Sequence, residues 1–229
     1  MKPSTNRSRR GAIAIFALSL LIAIGVYAGP PLICHSIQIG DAKSLPWISH
    51  TWNLSGTETY DVKNLVPDTL AILNPSAPVL VRMETLRRAT LYARKDPQIA
   101  RELLLKLHAR ATSAESAGAP DALAWFDAGY LTEAYKQWLG KESPNPAAGT
   151  DGYALAKKAL ELRGPDPQME FAAALMTLAG PQKEHREHVL RATAGAKQDP
   201  LLAQNLTSPF KGGQNETIAE MFSKAAKSN

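Results

Sequence analysis

DALAWFDAGYLTEAYKQWL, residues Asp121 to Leu139, places apolar side chains around nearly the whole circumference of a helix. Leu123, Trp125, Phe126, Tyr130, Leu131, Ala134, Tyr135 and Trp138 leave little wet surface. A helix that is apolar on most sides has to be enclosed by other elements. This segment is therefore expected to be the centre of a helical body. Asp127 lies among its aromatics. A carboxyl there can have a raised pKa and act as an acid, can face a groove, or can hydrogen-bond Tyr130 three residues on. Trp125, Asp127, Tyr130, Tyr135 and Trp138 are the candidates for lining a binding groove, although core packing explains the same spacing.

Helix signals extend on both sides. Pro67-Asp68 begins a short helix that Asn74-Pro75 stops, and a second runs from about Pro78 to Arg94 with Val79, Met83, Leu86, Thr90 and Ala93 on one face. Asp96-Pro97 starts the next: Asp can cap the free N–H groups, and Pro occupies a first position where a missing N–H does no harm. From Gln98 to about Ala114, Ile99, Leu103, Leu107 and Ala111 form a buried stripe, with Glu102 and Lys106 paired on the wet face. Residues 140–149 read as a loop. Helices follow at 151–162, from Asp166-Pro167 to about Ala179, at 184–197, from Asp199-Pro200, and, after Gly212-Gly213, at 216–227. The fold class is all-α: antiparallel helical hairpins, stacked as a solenoid or packed as an irregular bundle.

Pro167 and Pro200 each follow an Asp, stand 33 residues apart and enclose one helical hairpin. Over that span Ala172, Leu175, Ala179, Ala192, Gly195 and Pro200 resemble the packing positions of tetratricopeptide-type repeats. The match has departures: the family's early aromatic falls on Ala172, its first small residue on Met176 and its second-helix Ala on His188. Pro97 to Pro167 also holds three helices in 70 residues, so the phase slips there. The resemblance implies a concave surface that binds a protein or peptide partner.

Residues 29–66 differ in composition, being rich in Ser, Thr and aromatics such as Trp47, Trp52 and Tyr60. The partial alternation of Leu32, Ile33, Ile37 and Ile39 predicts an extended segment with a short strand, packed on the helical domain of residues 67–229. Before it, Gly11 to Ala28 is uncharged and follows Lys2, Arg7, Arg9 and Arg10. A basic head and an apolar run form a secretory signal or an anchor. Val26-Tyr27-Ala28 suits cleavage; uncleaved, eighteen residues at about 1.5 Å each span a hydrocarbon core. Residues 1–28 are thus read as a signal peptide or membrane anchor, and the protein as periplasmic or extracellular. Its membrane contact would run through residues 11–28 if they are kept.

Four of the 26 basic residues lie in the first ten positions, so the remainder is close to neutral and carries no nucleic-acid-binding face. Cys34 is the single cysteine. It is a small buried hydrophobe or a thiol free to cross-link a partner. Cys34-His35 is a poor thiolate–imidazole pair, because neighbouring side chains in a strand point apart. His185 and His188 lie three apart on a helix and are the candidate zinc ligands, with no evident third. Nucleophile elbows, phosphate loops, dinucleotide fingerprints and haem motifs are absent from the sequence, and no cofactor is implied. The triplets at Asn53, Asn205 and Asn215 fit a glycosylation pattern and are assigned no role. The reading is of an exported, non-catalytic binding scaffold. Its alternative is an enzyme or small-molecule binder with a site in helix 121–139.

Overall fold

The computed structural model describes residues 29–48, 54, 56–139, 145–209 and 216–227. The signal or anchor segment and its cleavage point, Trp52, residues 140–144, Asn53, Ser55, Gly212, Gly213 and Asn215 lie outside the described residues.

The protein is all-helical. A 3-10 turn at Val62–Asn64 leads into α1 (Leu65–Ile72), α2 (Val79–Ala93), α3 (Pro97–Ser116), α4 (Ala122–Trp138), α5 (Gly152–Arg163), α6 (Pro167–Met176), α7 (Gln182–Gly195), α8 (Pro200–Thr207) and α9 (Ile218–Ala225). Among these residues no helix is long and apolar enough to cross a membrane. The helix starts follow from the sequence chemistry. Asp96, Asp121, Asp151, Asp166 and Asp199 each accept a hydrogen bond from a backbone N–H in the first turn of the helix that follows, and Pro97, Pro167 and Pro200 fill first positions. The cap satisfies N–H groups that have no partner within the helix.

Helices α4 and α5 pack together, as do α6 with α7 and α8 with α9. The expected central helix, α4, also packs on α2 and α3. Its backbone comes close to that of α5. A Cβ on Gly129 would stand 2.6 Å from the carbonyl oxygen of Gly152, and one on Gly152 would stand 2.5 Å from that of Gly129. Neither contact can be relieved by turning a side chain. Gly129→Ala is therefore expected to push α5 away and to lower stability by about 1–3 kcal/mol, read by urea unfolding. A loss below about 0.5 kcal/mol would mean that the helices separate freely there.

Helix α2 departs from the sequence reading, which gave it one buried face. Every residue from Val79 to Ala93 is buried except Arg88, and the buried set includes Arg82, Glu84 and Arg87. The cover on its second side is the N-terminal segment. Leu32, Ile33, Cys34, Ile37 and Leu45 enter the core. The expected short strand is not formed: among the described residues the one β-type pairing is a bridge between Pro209 and Thr217. Residues 30–34 instead make a turn, with the N–H groups of Ile33 and Cys34 donating to Pro30 O. Beyond it the chain runs as a strap bonded by side chains. The Leu32 N–H donates to Gln137 of α4, and the Ile37 N–H to Glu84. Asn205 of α8 accepts from the Gln38 N–H and donates to its carbonyl. Arg87, Arg88 and Tyr92 donate to the carbonyls of Ile33, Leu45 and Pro46. Buried backbone polar groups need partners, and here helix side chains supply what a neighbouring strand would have supplied.

Candidate functional site

An open concavity runs along α3. Its spacing brings Gln98, Arg101, Leu105 and His108 to one outward face, one turn after another. The opposite wall is the segment Asn145, Pro146 and Thr150, and the groove between them has a volume of about 540 Å³. It continues along α3 past Glu102 and Lys106. The wall is pinned from beneath. Asn145 donates through Nδ2 to the Tyr135 carbonyl at the end of α4 and accepts from the Ala147 N–H, and Ala147 is wholly buried.

The groove has an apolar strip and a cationic end. Leu105 is 58% exposed, a large apolar side chain left in water beside buried Leu104. Arg101 makes no ion pair among the described residues. His108 places Nε2 3.4 Å from the hydroxyl of Thr132, and burial pushes its imidazole below the usual value, so the ring is neutral at pH 7. The expected Glu102–Lys106 pair forms at 3.7 Å, with both side chains at least half exposed, and contributes little to stability.

The residues singled out from the sequence lie elsewhere. Asp127, Tyr130 and Tyr135 are fully buried, and Trp125 is 6% exposed, so they pack the interior instead of lining an open groove. Trp125 carries the Lys158 ammonium 4.0 Å above its ring, and Trp138 stacks under Arg94. The partner of Asp127 is not Tyr130 but Arg82, whose Nη1 lies 2.5 Å from Oδ2. The same guanidinium donates to the carbonyls of Asn74 and Ala77, tying the α1–α2 turn to α4. Burial pushes the Asp127 carboxyl up to about 7, against the pull of Arg82.

Cys34 is buried, and burial raises its thiol despite Arg87 nearby, the opposite of an activated nucleophile. The two helix-α7 histidines point into separate surroundings. His185 sets Nδ1 3.1 Å from the Ala174 carbonyl and its ring edge-on to Phe222. His188 lies between Glu170 and Tyr153. Among the described residues no three His, Cys, Asp or Glu side chains are placed to hold a metal ion.

Arg101, Leu105 and His108 were not selected from the sequence, yet a signal was present. Leu103-Leu104-Leu105 is a run of three, and no helical stripe can bury three successive residues on one neighbour. The chain matches no family model, and no curated protein or solved structure is significantly similar to it.

Proposed function

We propose that the protein is an exported, non-catalytic helical scaffold of the hairpin-repeat type that binds a peptide segment of a partner protein along α3. The observation that carries this reading is the open groove with Leu105 exposed and Arg101 beside it. The ligand that complements it is an extended or helical peptide with a branched or aromatic apolar side chain next to a carboxylate. The apolar group leaves water against Leu104 and Leu105, and the carboxylate meets the forked donors of Arg101. Export rests on the basic head and the apolar run at residues 11–28. N-terminal sequencing of the protein from its host would read Gly29-Pro30 first if the segment is removed and Met1 or Lys2 if it is kept.

A randomised peptide library displayed on phage tests the groove. The enriched peptides, synthesised with a fluorophore, are expected to carry Leu, Ile or Phe beside Asp or Glu. Leu105→Asp and Arg101→Glu are each expected to weaken their binding about tenfold or more, as for a central contact residue. Both side chains are exposed, so the unfolding midpoint should stay where it is. Equal binding to wild type and both variants would place the ligand elsewhere.

A further inference from the structure

Two outward faces of the molecule carry one pattern. Arg101-Glu102-Leu103-Leu104-Leu105-Lys106 lies on α3, and Arg186-Glu187-His188-Val189-Leu190-Arg191 lies on α7. The helical turn brings the Arg, the Glu, the Leu and the closing base of each sextet to the surface, and all eight of those residues are exposed. In both, the Glu faces the base four residues on, at 3.7 Å for Glu102–Lys106 and 3.8 Å for Glu187–Arg191. Among the described residues Leu190 and Leu105 are the most exposed large apolar side chains, at 69% and 58%.

The two faces differ in their surroundings. Leu105 borders the groove whose far wall is Asn145, Pro146 and Thr150. Beside it Arg101 makes no ion pair among the described residues. On α7 the nearer partner of Arg191 is Glu170 at 2.6 Å, so Glu187 is the carboxylate left in water, paired at long range and 48% exposed. Arg186 bonds the Ala226 carbonyl at 3.4 Å and no carboxylate among the described residues. An apolar side chain three residues from a free carboxylate, on one helical face, is the chemistry that complements the groove.

We propose that the groove along α3 takes helix α7 of a second copy of this chain, with Leu190 against Leu104 and Leu105 and Glu187 on Arg101. The inference rests on the groove being a site for an apolar side chain beside a carboxylate. Opposite charges meet twice, because Arg186 faces Glu102 when Glu187 faces Arg101. Removal of the two leucines from water drives the contact, and the crossed charges set its register. The surfaces that meet are unlike. A copy whose groove is filled still offers its own α7, so association runs past the dimer unless it closes into a ring. One helix in one groove is a small interface, which makes the association weak and dependent on concentration.

Sedimentation of the full chain tests it, with the protein kept in a non-ionic detergent for its apolar N-terminal run. The mean mass of wild type is expected to rise about twofold or more between about 10 µM and about 1 mM. Leu105→Asp and Leu190→Asp are each expected to need about tenfold higher concentration. Mixed in equal amounts, those two variants form pairs and nothing larger, because the first still offers α7 and the second still offers the groove. Arg101→Glu and Glu187→Arg fail alone and associate in the mixture as wild type does, through the reversed charges. All four side chains are exposed, so the unfolding midpoints stay in place and lost association is not lost folding. A wild type that stays monomeric to about 1 mM, or a Leu105→Asp and Leu190→Asp mixture that does, overturns the inference. If displayed peptides bind the groove in that case, its occupant is a segment of another protein, and the groove itself stands. Association lost in Leu190→Asp but kept in Leu105→Asp places the contact outside the groove and also overturns the inference.

Discussion

Glu84→Gln is expected to remove about 3–5 kcal/mol of stability, the cost of leaving a buried charge without its partner. Glu84 is 1% exposed. Its two oxygens accept from Arg87 Nε and Nη2, from Arg88 Nε and from the Ile37 N–H. An amide keeps the shape but turns one acceptor into a donor facing a guanidinium. Arg87, 3% exposed, then has no counter-charge, and a single carbonyl oxygen is left to accept from Arg87, Arg88 and the Ile37 N–H of the strap. For a domain of this size the loss corresponds to a melting point lower by roughly 10 °C. Trypsin should also cut after Lys43 faster than in wild type, because the strap is released before the helices are. The pH dependence has a definite sign. Burial alone would raise the Glu84 carboxyl, but Arg87 and Arg88 outweigh it and hold it below its ordinary value of 4.5. A depressed carboxyl stabilises the folded state above its unfolded pKa, and the contribution is lost as pH falls through the folded value. Wild type and Glu84→Gln should therefore converge progressively as pH falls below the ordinary carboxyl value of 4.5. A difference under 1 kcal/mol at pH 7, or one that persists unchanged into acid, would show that the strap is not held this way.

The second large effect belongs to Arg82→Met. The guanidinium is fully buried and serves Asp127 and the carbonyls of Asn74 and Ala77 together. Truncating it leaves a carboxyl and two carbonyls unpaired, at a cost of about 3–5 kcal/mol at pH 7. Replacing both partners, as Arg82→Met with Asp127→Leu, is expected to recover the part of the loss that comes from the unpaired carboxyl, while the Asn74 and Ala77 carbonyls still lack their donor. Here the pH slope runs opposite to that of Glu84. Burial lowers Arg82 as well, but a guanidinium stays protonated at any working pH, so the titration falls on Asp127. Its folded pKa is raised from 3.8 to about 7, so its contribution is full below pH 3.8 and is lost as pH rises through about 7. Wild-type stability should fall by up to about 4 kcal/mol across that interval, and Asp127→Asn should flatten this part of the profile. Urea unfolding at half-unit steps from pH 4 to 8 reads it. A profile in Asp127→Asn that matches wild type would assign the slope to another group.

These two residues also mark the limit of what the chain discloses one residue at a time. Leu80-Val81-Arg82-Met83-Glu84-Thr85-Leu86-Arg87-Arg88 reads as a helix with a charged, wet side. Its stripe of Val79, Met83, Leu86, Thr90 and Ala93 was legible, and each of those residues is buried. The burial of Arg82, Glu84 and Arg87 was not legible, because it depends on distant segments: Asp127 reaches Arg82 from 45 positions away, and the Ile33 carbonyl reaches Arg87, the partner of Glu84, from 54. Asn205 carries the same lesson. As a triplet it suggested a glycan acceptor, whereas in the fold it is fully buried and clasps Gln38, 167 positions earlier.

What the sequence by itself determined is local. Asp-Pro starts, Gly and Pro stops and the 3.6-residue rhythm of apolar side chains located the helices from α1 to α9, because capping and amphipathicity are settled within a few residues. The wrap-around apolar character of residues 121–139 marked α4 as an inner helix for the same reason. What only the tertiary structure decided is which polar groups share an interior. It turned an expected strand into a side-chain-bonded strap and buried Trp125, Tyr130 and Tyr135 of α4. It left Leu105 and Arg101 facing a groove, and it joined His188 to Tyr153 and Glu170 instead of to His185. Each of those outcomes is set by contacts between distant segments, whose energies no local pattern encodes.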